Sequence, residues 1–132
     1  MTDARVVRGD GIESEPVDAA DGMSKGVLLG PETTPTLSLR RFELDPGATV
    51  PEHTNEIEHE QYVLSGEYVV GISEPSGTLT DGDAASKTEY TVSAGDSIHI
   101  PAGAVHWYRN EGDEPGTFIC AVPNGDDSIE LV

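Results

Sequence analysis

The sequence predicts an all-β domain, a sandwich or barrel with little helix. Three observations carry this. Short runs rich in β-branched and aromatic residues alternate with turn clusters along most of the chain. Gly (15) and Pro (9) together exceed average usage by about half. No window of a dozen residues carries an apolar face of period 3.6. With 132 residues, the chain has room for one domain and little more.

Residues 1–24 are polar and acidic, broken by Gly9, Gly11, Pro16 and Gly22. They read as a flexible arm with one short strand around Val6 and Val7. Strands are expected at 26–29, 36–44, 49–53, 59–64, 67–73, 88–93, 97–100, 105–109 and 117–122. The clusters between them have turn chemistry, such as Asp45-Pro46-Gly47, Ser65-Gly66, Ala94-Gly95-Asp96 and Pro101-Ala102-Gly103. The acidic, small-residue stretch 74–87 is expected to loop over one end of the domain. The chain therefore divides into an arm (1–24), a β-domain (25–123) and an acidic tail (124–132) ending in Ile129, Leu131 and Val132.

Charge narrows the function classes. There are 25 acids against 7 bases, a net charge of −18. Nucleic acid and anionic membrane surfaces are repelled by such a field and are excluded as direct partners. The acids are spread along the chain, and Lys25 and Lys87 are its only lysines. A folded surface this negative suits molar salt, where the screening length shrinks to about 3 Å. A halophilic origin is the expectation.

Cys120 is the single cysteine, which fits a reducing compartment. The first residues lack the apolar stretch of a signal peptide, and no apolar run approaches the roughly 20 residues of a membrane helix. A cytoplasmic protein is expected.

Four histidines occur, at 53, 59, 99 and 106. Alternate residues of a strand share a face, so His53 groups with Asn55, His59 with Gln61, and His106 with Tyr108. A hairpin would aim His53 and His59 at one point, and His106 arrives from a distant strand. Three imidazoles on short strands can build an open metal site. Spacing alone does not separate that from hydrogen-bonded core histidines.

The motifs around these residues resemble those of the cupin family. The first reads Gly47, ATVPE, His53, Thr54, Asn55, EIE, His59, EQYVLS, Gly66. The second reads Gly95, DSIHI, Pro101, Ala102, Gly103, AV, His106, WYR, Asn110, with every fixed position occupied. The resemblance implies a double-stranded β-helix, or jelly-roll, barrel, and a homodimer in which the arm is exchanged. It also implies one divalent transition metal per chain (Fe, Mn, Zn, Ni or Cu) at His53, His59 and His106.

Two positions depart from the family pattern. Asn55 replaces the second His of the first motif, and His59 replaces its Glu. His59 is similar to the corresponding residue of a four-His cupin subgroup; Asn55 then leaves three imidazoles with a weak amide oxygen in fourth place. Without a carboxylate the ligand set is neutral. It favours an anionic ligand on the metal and discriminates poorly among metals.

The remaining residues are read more simply. Gln61 and Tyr108 are expected to line the cavity, while Glu52, Glu58 and Glu60 face solvent and Trp107 packs outside or at a dimer contact. His99 is assigned to a buried strand or an interface. Cys120 is assigned to core packing, since no base stands near it in sequence. Arg40 and Arg41 pair with surface acids, or one of them faces the cavity and holds a carboxylate.

No phosphate-cradling loop, dinucleotide fingerprint or nucleophile elbow is present. Two readings stand: a mononuclear metal-dependent, oxygenase-like enzyme acting on a small organic molecule, or a non-catalytic small-molecule binding module with incidental metal.

Overall fold

A computed structural model describes residues 4–73, 87–124 and 129–131. The expected loop at 74–87 lies outside these residues except for Lys87, as does much of the tail. Ten strands are seen among the described residues: β1 (Glu15–Pro16), β2 (Asp21–Leu29), β3 (Leu37–Asn55), β4 (His59–Ser65), β5 (Glu67–Ser73), β6 (Lys87–Ser93), β7 (Ser97–Ile100), β8 (Val105–Arg109), β9 (Gly116–Pro123) and β10 (Ile129–Leu131). The helical content described is one 3-10 turn, Gly9–Gly11. Val6 and Val7 form no strand and stay exposed, flanked by Arg5 and Arg8, with no partner strand among the described residues.

All pairings are antiparallel, and the sheet runs β6-β5-β8-β3-β9-β4-β7 with β2 and β10 also on β3. β3 makes it curl. Its first half, Leu37 to Leu44, pairs with β9, and its second half, Thr49 to His53, pairs with β8. The result is a jelly-roll barrel of the cupin kind.

Asp45-Pro46-Gly47, turn-like in sequence, is a bulge inside β3. Opposite it on β2 the register slips, from Asp21 facing Thr49 to Met23 facing Leu44. Asn110 sutures this bulge from the far end of the chain. It is 1% exposed. Its Nδ2 donates to Leu44 O at 3.0 Å and to Glu114 O at 2.9 Å, and its Oδ1 accepts from Gly112 N at 3.0 Å. Its backbone adds bonds to Gly47 and Ala48.

β2 begins at Asp21, ahead of the strand expected at 26–29, because β3 is long enough to pair with it and Met23 joins the core. Val17 packs against that core as well. The segment read as an arm thus contributes residues 17–24 to the barrel wall.

Alternation sorts the interior. On β4 His59, Gln61 and Val63 point inward, on β8 His106 and Tyr108, and on β9 Phe118, Cys120 and Val122. Phe118 is the hub of the apolar end, with ring centroids 5.2 Å from Phe42, 5.4 Å from Tyr108 and 5.6 Å from Tyr68. Burying one such ring contributes about 2–3 kcal/mol.

Two glycines are required by close approach. A Cβ on Gly66, which has φ 80°, would lie 2.2 Å from Pro115 O. One on Gly71 would lie 1.8 Å from the Trp107 ring, so the indole lies flat across β5 on the outer face.

Candidate metal centre

At the polar end of the barrel, β3 and β8 bring His53 and His106 into register as Cα partners. Their ring centroids are 4.1 Å apart. His59, reached from β4, stands farther off, 6.0 Å from His106. All three rings are buried, and Asn55 is buried on the same face as His53.

Local backbone fixes two of the rings. His53 Nδ1 lies 2.8 Å from Pro51 O, and His106 Nδ1 lies 3.1 Å from Ala104 O. A carbonyl oxygen can only accept, so each Nδ1 carries the proton and each Nε2 keeps its lone pair for the cavity. Backbone carbonyls that orient imidazoles in this way are usual around metal ligands. His59 is held differently, with Nδ1 3.4 Å from Cys120 Sγ.

The cavity these residues line has a volume of about 90 Å³ and also touches Gln61 and Tyr108. Gln61 Nε2 donates to the Tyr108 hydroxyl at 2.7 Å. Burial pushes the Tyr108 phenol well above the ordinary tyrosine range, partly offset by the Gln61 hydrogen bond. The phenol therefore stays neutral. Phe42, Phe118, Met23 and Val17 form an apolar wall, and Arg40 and Lys25 add positive charge. Among the described residues no carboxylate lines the cavity.

Whether these residues suit a transition metal is tested by two amide oxygens. Asn55 Oδ1 and Gln61 Oε1 are buried and accept no hydrogen bond. A buried acceptor left unmet costs about 1–3 kcal/mol, and a cation or a donor relieves it. Neutral imidazoles with an amide oxygen are a donor set that first-row divalent metals accept. The residues fit.

Other positions differ from what the sequence suggests. His99 is on the exposed outer face, where it pairs with Glu60 across β4 and β7 and lies 3.8 Å from Glu58. Its strand parity puts it opposite the buried Ile98 and Ile100. Among the described residues, Glu58, Glu60 and His99 are the group of three whose donor atoms all fall within 4.8 Å of one another; the interior histidines are spread wider. Cys120 is fully buried, as packing requires, yet it has an imidazole beside it that sequence distance conceals. Arg40 faces the cavity. Its guanidinium sits 5.5 Å above the Phe42 ring with Nη2 3.8 Å from Cys120 Sγ. Lys25, Met23 and Val17 are cavity residues that sequence reading missed; the Gly22 bulge hides the alternation that would have flagged them.

The architecture defines a small β-barrel protein with a histidine-lined interior pocket. The cupin domain family matches residues 40–122, and the chain belongs to that family. Germin-like protein 5-1 of Oryza sativa subsp. japonica is 33% identical over 86 residues, 64% of this chain and 35% of that protein. The chain thus spans about a third of the length of that curated relative. The polyketide cyclase RemF from Streptomyces resistomycificus is similar in fold, with a TM-score of 0.77 and 23% identity over 98% of this chain and 85% of the cyclase. An oxalate oxidase is similar with a TM-score of 0.73 and 21% identity, over 91% of this chain and 60% of its own.

Proposed function

We propose that His53, His59 and His106 hold one divalent transition metal, with Asn55 Oδ1 in fourth place, and that the chain is a mononuclear metal-dependent, oxygenase-like enzyme for a small organic molecule. The observation that carries this is the meeting, in one small cavity, of imidazoles with Nδ1 already engaged and two buried amide oxygens that accept no hydrogen bond. A bound metal supplies Lewis acidity and open coordination positions for a ligand.

The chain's own residues do the rest. Pro51 and Ala104 carbonyls hold two rings in the ligating tautomer. Gln61 and the neutral Tyr108 form a fixed polar edge beside them. Phe42 and Phe118 keep water from the opposite wall. Departure from the family pattern at Asn55 and His59 supports reading this chain as akin to the four-His subgroup with one ligand weakened. The polyketide cyclase and oxalate oxidase among its fold relatives support an enzymatic reading by analogy alone.

The absence of any carboxylate from the described cavity lining favours the second reading, a binding module, because an enzyme moving protons needs an acid or base there. The test is metal analysis of protein purified without chelator, followed by oxygen uptake with Fe(II)- or Mn(II)-loaded protein across small carboxylates and phenols. Close to one metal ion per chain supports the centre, and uptake supports the enzyme. Full metal content in a His59→Ala/His106→Ala variant sinks the centre; silence across the panel with tight ligand binding leaves the module.

The same reading includes a homodimer in a salt-rich cytoplasm. Tyr62 and Leu64 of β4 stand half-exposed on the outer sheet face, a surface suited to a second copy.

A further inference from the structure

We propose that Cys120 is the positioning residue of His59: its sulfur accepts from Nδ1 and so leaves Nε2 for the cavity, the part that backbone carbonyls play for His53 and His106. The inference rests on the reading of His59 as a metal ligand.

Register is the first ground. β4 and β9 pair so that Gln61 lies opposite Cys120. His59, two residues before Gln61, shares its inward face, and its Nδ1 comes to 3.4 Å from the sulfur. His53 and His106 draw their Nδ1 partners from two residues upstream, at Pro51 and Ala104. For His59 the corresponding partner is supplied by another strand, 61 positions away.

Polarity is the second ground. Arg40 Nη2 lies 3.8 Å and Gln61 Nε2 4.0 Å from the same sulfur, and both nitrogens can only donate. The sulfur, fully buried, therefore stands as an acceptor among donors. An imidazole that ligates through Nε2 carries its proton on Nδ1, which makes it a third donor to that sulfur. The cluster matches the ligating tautomer.

Placement is the third ground. His59 and Gln61 line the cavity, whereas Cys120 stands behind them and is not part of its lining. Gln61 Nε2 also donates to the Tyr108 hydroxyl at 2.7 Å, so the sulfur is joined to the cavity's polar edge as well as to the ligand. Cys120 touches no ligand itself and acts through the ring it holds.

The experiment compares the full chain with Cys120→Val, which fills the space without an acceptor, and Cys120→Ser, which restores one. Zn(II) affinity is read by chelator competition, and the ring nitrogens of the histidines by 15N NMR of the metal-free proteins. Cys120→Val should bind Zn(II) about tenfold more weakly or worse, and Cys120→Ser within about threefold of the wild type. In metal-free Cys120→Val the ring shifts of His59 should move while those of His53 and His106 hold. Unmoved His59 shifts overturn the inference, as does equal Zn(II) affinity in all three proteins. Equal losses in the Val and Ser variants also overturn it, because they mark a packing role. If Cys120→Val melts early, Cys120→Ala takes its place with the same outcomes. A wild-type chain that takes up no Zn(II) refutes the metal centre, and the metal-free spectra then decide separately whether the sulfur orients the ring.

Discussion

His53 and His106 face each other as Cα partners across β3 and β8, their ring centroids 4.1 Å apart, and each is tethered through Nδ1 to the carbonyl two residues before it. Two residues 53 positions apart in sequence are oriented by the same local device. The pair is the carbonyl-tethered half of the proposed centre, and His59 and Asn55 are the half that departs from the family pattern.

Replacing Asn55 by His should therefore tighten metal binding, because a neutral imidazole replaces a weak amide oxygen. We expect roughly a tenfold gain, in line with the 10–100-fold effects of residues around metal ligands. Competition with a chromophoric chelator measures it, and unchanged affinity would mean residue 55 does not ligate.

Asn110 should behave as a structural residue despite closing the second motif. Asn110→Ala removes the donor from the Leu44 and Glu114 carbonyls and the acceptor from Gly112 N. A loss of about 3 kcal/mol is expected in urea unfolding, since buried groups left unmet cost about 1–3 kcal/mol each. A loss under half that figure would show that water replaces it.

The chain's single tryptophan reports on one carboxylate. Glu89 accepts from Arg109 and from Trp107 Nε1, and these bonds, Arg109's foremost, hold its carboxyl down to about 2. A depressed carboxylate contributes stability that is fully present above its ordinary range and is lost as pH falls toward 2. Trp107 fluorescence should change in that window, and Glu89→Gln should remove the change. A transition that survives the substitution would place the titrating group elsewhere.

At the alkaline end, burial raises the phenols of Tyr68 and Tyr108 far above the ordinary range. A raised phenol leaves stability intact below pH about 10 and drains it above. Absorbance at the tyrosinate band should then rise in step with loss of folded signal. Full ionisation of all four tyrosines before unfolding would contradict their burial.

Salt should act in the opposite direction from usual. With a net charge of −18, raising KCl from low to molar concentration screens self-repulsion and should lift the melting temperature by several degrees. A flat or falling melting curve would remove the halophilic reading.

Most of the barrel was legible in the sequence because strand alternation and turn residues are local signals: β4, β5, β7 and β8 lie where residues 59–109 suggest. What was hidden is non-local. Asp45-Pro46-Gly47 has turn chemistry, yet pairing with β2, β8 and β9 on either side keeps β3 continuous. The inward course of Arg40 follows from β3 parity with Phe42, which is clear only once Phe42 is known to be buried. Cys120 and His59 are 61 positions apart, and only the β4–β9 pairing makes them neighbours.

The double role of β3 has a consequence for how this molecule comes to be. Its opening half waits for β9 and its closing half for β8, so neither edge can be satisfied while those residues are still inside the ribosome. Closure is accordingly a late, slow event dominated by distant partners, and until then the nascent chain bears an open seam that its own dense negative charge keeps from sticking to its neighbours.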